Sequence, residues 1–262
     1  MPDDFPADDE LAFAISLADE ADAFTLPRFE NADFTLGWKN DRTEVTEADR
    51  GAESLLAARV VAERPEHGFF GEEHGHRGHA DSPWQWIVDP IDGTSGFVRG
   101  IPVWATLIAL THAEHGVMVG VVSAPALQRR WWAAKGLGSF ADGRRCRVSA
   151  VADLEAAHVS VTFNHGWDEL GLTSELVAIL GKAHRARGFG DFWQHCLVAE
   201  GALDLAIDAV GVAPYDIAAC RLIVDEAGGR FTDRFGNSTH EHPTAISSNG
   251  LLHDRVVARL GR

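Results

Sequence analysis

Trp86-Ile87-Val88-Asp89-Pro90-Ile91-Asp92-Gly93-Thr94-Ser95-Gly96-Phe97 carries an apolar run into two carboxylates, a glycine and a hydroxyl within a few residues. Residues 84–88 read as a buried strand. Pro90 removes a backbone donor and stops sheet pairing, and Gly93 with Thr94 lets the chain turn closely. Asp89 and Asp92 therefore converge at a strand's end. Two carboxylates so close repel unless a positive charge lies between them, and hard oxygen ligands with free backbone carbonyls suit a divalent cation such as magnesium. The competing reading is a plain turn whose aspartates cap a helix, since Asp and Gly are ordinary turn residues.

Working outward, the short apolar run His67-Gly-Phe-Phe-Gly71 places Glu72 and Glu73 just past its end, repeating the layout at Asp89 and offering a third metal carboxylate. The His74-Gly-His-Arg-Gly-His79 run beyond it lacks zinc spacing and a nearby cysteine, and reads as an exposed polar loop. Upstream, Thr46-Glu-Ala-Asp49 opens a helix with Ala52, Leu55, Leu56, Val60 and Val61 on its buried side. Thr46 and Asp49 resemble a capping box, with Asp in place of the usual Glu or Gln. A functional reading points Asp49 toward the Asp89 bend, where it would orient a hydroxyl. Asp216, after Pro214-Tyr215, fits a helix cap equally well as a carboxylate held at a crowded interface.

The chain has 262 residues, enough for one large domain or two small ones. Its 23 basic and 39 acidic side chains give a net charge of −16, which repels nucleic-acid backbones and acidic membranes and leaves an anionic substrate in need of a metal. Cys146, Cys196 and Cys220 are widely spaced and odd in number, as expected of reduced thiols. The first residues are acidic where an export leader is basic, and no apolar stretch approaches the ~20 residues of a membrane span. These features predict a cytoplasmic protein with no nucleic-acid or membrane partner.

The first helix is expected to start at Asp8 or Asp9 with Leu11, Ala14, Ile15, Ala18 and Ala21 inward. Residues 27–45 read as irregular and polar, with residues 37–45 a candidate lid. Apolar runs at 103–110, 117–122, 130–134 and 138–141 form an antiparallel meander, and Arg144, Arg145 and Arg147 read as a solvated edge. Near residue 150 the pattern changes to alternating strands and helices, which predicts an N-terminal α+β metal-binding part (1–150) and a C-terminal α/β specificity part (151–262). The class is layered α/β with mixed, largely antiparallel sheets.

Thr46-Glu-Ala-Asp49, Gly71-Glu72-Glu73, Asp89-Pro-Ile-Asp92-Gly-Thr94 and Tyr215-Asp216-Ile-Ala-Ala219 followed by Glu226-Ala-Gly-Gly229 together resemble the inositol monophosphatase superfamily of magnesium-dependent phosphatases. The resemblance implies the αβαβα sandwich of the sugar-phosphatase fold and a homodimer. It implies metal ligands at Glu72, Asp89, the Ile91 carbonyl, Asp92 and Asp216, holding two or three Mg²⁺ ions. It also implies that Thr94, with Asp49 and Glu72, orients the attacking water. A helix beginning at the bend would offer the Gly93, Thr94 and Ser95 amides to phosphate oxygens.

A narrower resemblance, to the actinobacterial-type histidinol-phosphatases of histidine biosynthesis, rests on residues 98–110, 122–133, Gly190-Asp-Phe-Trp193 and Leu197-Val-Ala-Glu-Gly201. Gln194-His195-Cys196 departs from the small and aromatic residues expected of that group. Histidinol carries an ammonium and an imidazole, so its site calls for carboxylates, and Asp191 and Asp208 are the candidates. Alternatives are a phosphatase for inositol phosphate, sugar bisphosphate or a nucleotide 3′-phosphate, and a non-catalytic metal-binding regulator.

Overall fold

Phe13, Ala14, Leu17, Ala18 and Ala21 recur every three or four residues and are buried along α1 (Ala7–Asn31). The computed structural model describes residues 5–39 and 43–262. The first helix runs further than the sequence pattern predicts, through Pro27 in its last turns. Side chains there reinforce the ladder: Arg28 donates to the Phe24 carbonyl at 2.6 Å and Asn31 to the Pro27 carbonyl at 2.7 Å. A positive φ at Ala32 then ends the helix. The segment beyond Ala32 is not wholly irregular either, because β1 (Leu36–Trp38) pairs antiparallel with β2 (Glu44–Thr46). The proposed lid over 37–45 falls on this ribbon, and its residues 40–42 lie outside the described residues.

The chain divides into two compact units, Met1–Lys135 and Gly136–Arg262, a division earlier in the chain than residue 150. In the first unit, α2 (Glu47–Glu63) leads into β3 (Gly68–Gly71), β4 (Gly75–Gly78), β5 (Trp84–Asp92), the short α3 (Thr94–Val98), β6 (Ala105–His112), β7 (Gly116–Ala124) and β8 (Arg129–Ala134). The order is β8-β7-β6-β5-β3-β4, with β3 and β5 parallel and the other pairs antiparallel. The His-rich run is thus an edge strand rather than a loop. Leu17, Leu56 and Val60 from α1 and α2 meet Phe69, Trp86, Ile108 and Val119 of the sheet in one core. Burying each such side chain is worth about 1.5–3 kcal/mol. On α2 the inward face is Ala48, Asp49, Ala52, Glu53, Leu56, Ala57 and Val60, while Leu55 and Val61 are exposed against expectation. The helical stripe is turned by one residue, and it carries two acids inward.

The second unit begins with the hairpin β9 (Gly138–Ala141) and β10 (Arg144–Arg145), whose arginines are exposed as expected of an edge. Then come β11 (His158–Val161), α4 (His165–Glu169), α5 (Thr173–Leu180), β12 (Arg185–Arg187), α6 (Asp191–Ala199), β13 (Leu205–Ile207), α7 (Pro214–Glu226), β14 (Arg230–Thr232), β15 (Ile246–Ser248) and α8 (His253–Leu260). These strands form a mixed sheet ordered β12-β11-β13-β15-β14. Strand periodicity separates its faces. Val159, Val161, Leu205, Ile207 and Ile246 pack with Trp167, Leu176 and Val256 of α4, α5 and α8. The alternating positions Ser160, Ala206 and Ser247 are small or polar and equally buried, and Ser160 and Ser247 bond to α6.

Candidate active site

Parallel pairing of β3 and β5 brings two acids to one sheet end. Gly71 is paired with Val88, so Glu72 and Asp89 come next at the same ends of neighbouring strands, and the Glu72 amide continues the ladder to the Val88 carbonyl at 3.3 Å. Pro90 does not end the strand as the sequence suggests. Pairing with β6 resumes at Asp92, opposite Ala105, after a bulge that re-aims the intervening residues. The Thr106 hydroxyl takes up the Pro90 carbonyl at 2.8 Å, and Asp89 Oδ1 accepts the Ile91 amide at 2.9 Å. Asp89 and Asp92 end with carboxylate oxygens within 4.8 Å of each other. Ile91 itself points into a pocket of Ala48, Phe97 and Trp104, which anchors the bend.

Gly93 has φ +88°, a left-handed conformation that a side chain would strain, and it opens α3. The Thr94 hydroxyl lies 3.0 Å from both Asp49 Oδ1 and the Ile91 carbonyl. Asp49 is wholly buried, and its two oxygens are engaged on different sides. Its Oδ2 accepts the Thr46 amide and hydroxyl in a complete capping box, while its Oδ1 faces Thr94. Burial raises its pKa against the pull of these hydrogen bonds. Lys39 forms ion pairs with Glu72 at 2.7 Å and Glu73 at 2.6 Å. Burial alone would lower the lysine's pKa, but the Glu72 and Glu73 carboxylates raise it overall.

In the second unit, Asp216 sits in the first turn of α7, half-buried, and its Oδ2 accepts the Ala213 amide at 2.7 Å. Asp191 opens α6 at φ +46°, rare for a residue with a side chain. Its side chain reaches solvent yet is densely surrounded by protein. That crowding and the nearby Asp208 carboxylate push its pKa up to about 6, with His195 pulling it back. Asp208 is buried, and both of its oxygens are engaged, by the Ala209 amide at 2.8 Å and His195 Nε2 at 2.9 Å. The other His195 nitrogen, Nδ1, lies 2.8 Å from the Ser247 hydroxyl. An ionised Asp208 only accepts, so in the neutral ring Nε2 carries the proton and Nδ1 receives the serine's.

The model of the inositol monophosphatase family matches residues 7–261. This chain belongs to that family. It is 48% identical over 258 residues to a Mycobacterium tuberculosis protein named histidinol-phosphatase, covering 96% of this chain and 98% of the relative. A Streptomyces coelicolor protein of the same name is 42% identical over 97% of both chains. Among solved structures, the Bartonella henselae extragenic suppressor protein SuhB aligns over 95% of this chain and 96% of its own, with a TM-score of 0.86 at 29% identity. The Thermotoga maritima IMPase aligns over 97% of both chains, with a TM-score of 0.85 at 31% identity. The mixed α/β architecture expected from the sequence is therefore that of the inositol monophosphatase family.

Three residues that sequence reasoning passed over stand out in this family member. Glu53 is a charge on the buried stripe of α2. Lys39, which fell within the segment read as irregular and polar, pairs with Glu72 and Glu73. His195, noted only as atypical, holds Asp208. Glu53 alone had an audible signal, a charged side chain four residues from Asp49 on the same helical face.

Proposed function

We propose that the chain is a Mg²⁺-dependent phosphomonoesterase that hydrolyses L-histidinol phosphate to L-histidinol and phosphate in histidine biosynthesis. The observation that carries this reading is 48% identity to a histidinol-phosphatase over nearly the whole of both chains, with every carboxylate of the proposed site in place. In this reading Glu72, Asp89, the Ile91 carbonyl, Asp92 and Asp216 hold two or three Mg²⁺ ions. The hard oxygen set and the closeness of Asp89 to Asp92 suit that cation. Bound there, the ions neutralise the phosphate, acidify a water and stabilise the leaving alkoxide.

The chain's own residues supply orientation. Thr94 has one hydroxyl proton and two acceptors beside it. When the Ile91 carbonyl serves as a ligand, that proton goes to Asp49, and the hydroxyl oxygen is left to accept from the attacking water. Glu72 accepts the water's other hydrogen. The Gly93, Thr94 and Ser95 amides at the start of α3 meet phosphate oxygens.

The leaving alcohol is a dication at low pH and a monocation at higher pH. Asp191, solvent-facing, meets that charge directly, while Asp208, already engaged by His195, sets the field around it. A homodimer and a cytoplasmic location go with the same reading. Among the described residues no helix is long and apolar enough to cross a membrane.

The test is phosphate release from L-histidinol phosphate, inositol 1-phosphate, fructose 1,6-bisphosphate and adenosine 3′,5′-bisphosphate, each with and without Mg²⁺. The highest kcat/KM is expected for histidinol phosphate, with Mg²⁺ required. A preference for inositol 1-phosphate would overturn the substrate, and no turnover of any would overturn the activity.

A further inference from the structure

Between β3 and β4 the chain reverses through Glu72, Glu73 and His74, with Gly71 paired to Gly75 on either side. Gly75 has φ +68°, as expected at the close of a three-residue hairpin loop. Such a loop leaves amides pointing inward without sheet partners, and a buried amide without an acceptor is destabilising. Glu53 answers this from α2. Its carboxylate is wholly buried and accepts the Glu73 amide at 2.6 Å and the His74 amide at 2.8 Å, with the His74 ring nitrogen Nδ1 at 3.0 Å. The fit leaves no slack. A Cβ added at Gly71 would come within 2.3–2.5 Å of the Glu53 carboxylate atoms.

We infer that Glu53 is a positioning residue for metal binding: it clamps the loop that carries Glu72, and through that loop fixes where the Glu72 carboxylate stands. The inference rests on the reading of Glu72 as a metal ligand and adds a residue that touches neither metal nor substrate. An anion on α2 satisfies two loop amides, Gly71 admits the anion beneath the strand end, and Glu72 is the residue between the clamped segment and the sheet. Partners that orient a metal ligand in this way typically change metal affinity by about 10–100-fold when removed.

Two lesions attack the clamp from opposite sides. Glu53→Gln keeps the volume and replaces one acceptor with a donor that faces a loop amide. Gly71→Ala keeps the carboxylate and drives it off the amides. His74→Ala is the mild third variant, removing only the ring contact.

The probe is Mn²⁺, with free ion counted by electron paramagnetic resonance, alongside kcat at saturating metal and thermal melting. Half-saturating Mn²⁺ is expected to rise about tenfold in both Glu53→Gln and Gly71→Ala, more than kcat falls, and less in His74→Ala. Unchanged Mn²⁺ affinity in folded Glu53→Gln and Gly71→Ala, with only the melting temperature lowered, would overturn the inference. If neither folds, His74→Ala decides: Mn²⁺ binding equal to wild type overturns it. Glu72→Gln is the control that separates the two readings. If it binds Mn²⁺ as wild type does, the metal assignment has failed, whatever Glu53 does.

Discussion

The bend at Asp89–Thr94 and the helix start at Asp191 both present carboxylates, but they are held by different means. Asp89 is tied to an amide two residues away, and Thr94 to a carbonyl three residues away. Asp191 lies near Asp208 and His195, and His195 is itself held between Asp208, 13 residues on, and Ser247, 52 residues on. The first region is largely buried and its turn is set by bonds between near neighbours, with the Asp49 carboxylate and the Thr106 hydroxyl bracing it from elsewhere in the same unit. The second sets one exposed, conformationally strained carboxylate, Asp191, beside a buried Asp208–His195–Ser247 set assembled from distant parts; in the proposed reading it is where substrate choice is made. Mutations should therefore abolish turnover in the first region and redirect recognition in the second.

The sharpest break is at Asp89. Replacing it with Asn preserves the acceptor for the Ile91 amide but removes the charge, so the bend should stay folded while Mg²⁺-dependent kcat falls by at least about a thousandfold. Circular dichroism and phosphate release check the two halves together, and wild-type turnover in the folded variant would end the metal assignment. Thr94→Ala leaves every carboxylate in place and removes only the hydroxyl between Asp49 and the Ile91 carbonyl. Its kcat should drop by about a hundredfold with KM nearly unchanged, since the lost contact matters in the transition state.

The same difference explains how much could be read in advance. The bend, the capping box at Thr46 and the carboxylates at 72, 89, 92 and 216 are short-range patterns of turn and cap chemistry. The antiparallel succession of β6, β7 and β8 agrees with the apolar runs at 103–110, 117–122 and 130–134. Pro27 hid the end of the first helix, because the side-chain bonds from Arg28 and Asn31 that carry the helix past it have no sequence signature. The spacing of Glu53 from Asp49 marked it as an inward acid, but its role was hidden for a related reason. Its amide partners lie 20 and 21 residues on, and only the fold shows that a buried acid at that helix position has donors waiting. His195 looked anomalous until Ser247 and Asp208 were seen on either side of it.

Asp191→Asn tests the second region. Losing one charge-assisted contact to a cationic leaving group costs about 1.5–3 kcal/mol, or roughly 10–100-fold in KM for histidinol phosphate, with kcat within about threefold of wild type. The pH profile adds an independent reading. Asp191 titrates near pH 6, so it gains a proton and loses its charge as pH falls through that value. The substrate's own imidazole and phosphate titrate over the same range in both proteins, so the reading is the ratio of the two KM values: from pH 7 to pH 5 the wild type's KM should worsen about tenfold relative to that of Asp191→Asn. A KM ratio of wild type to Asp191→Asn that does not change with pH would show that Asp191 does not meet the substrate's charge.

The smallest effect concerns stability and the opposite face of the second sheet. His253 is wholly buried, with Nε2 2.8 Å from the Thr232 hydroxyl and Nδ1 2.9 Å from the Ser248 hydroxyl. Burial, and then Arg230, lower its pKa from 6.5 to about 4. The folded protein thus keeps this ring neutral where the unfolded chain protonates it. The stability it contributes is complete above pH 6.5 and declines as pH falls toward 4, because the unfolded state binds the extra proton. Between pH 7 and pH 5.5 the loss should be about 1 kcal/mol, read from urea midpoints. His67 is lowered in the same way in the first unit, so the measurement that isolates His253 is the difference between wild type and His253→Gln. The variant should start less stable at pH 7 and lose less on acidification. An equal loss in both proteins would mean that His253 gains its proton in the folded state after all.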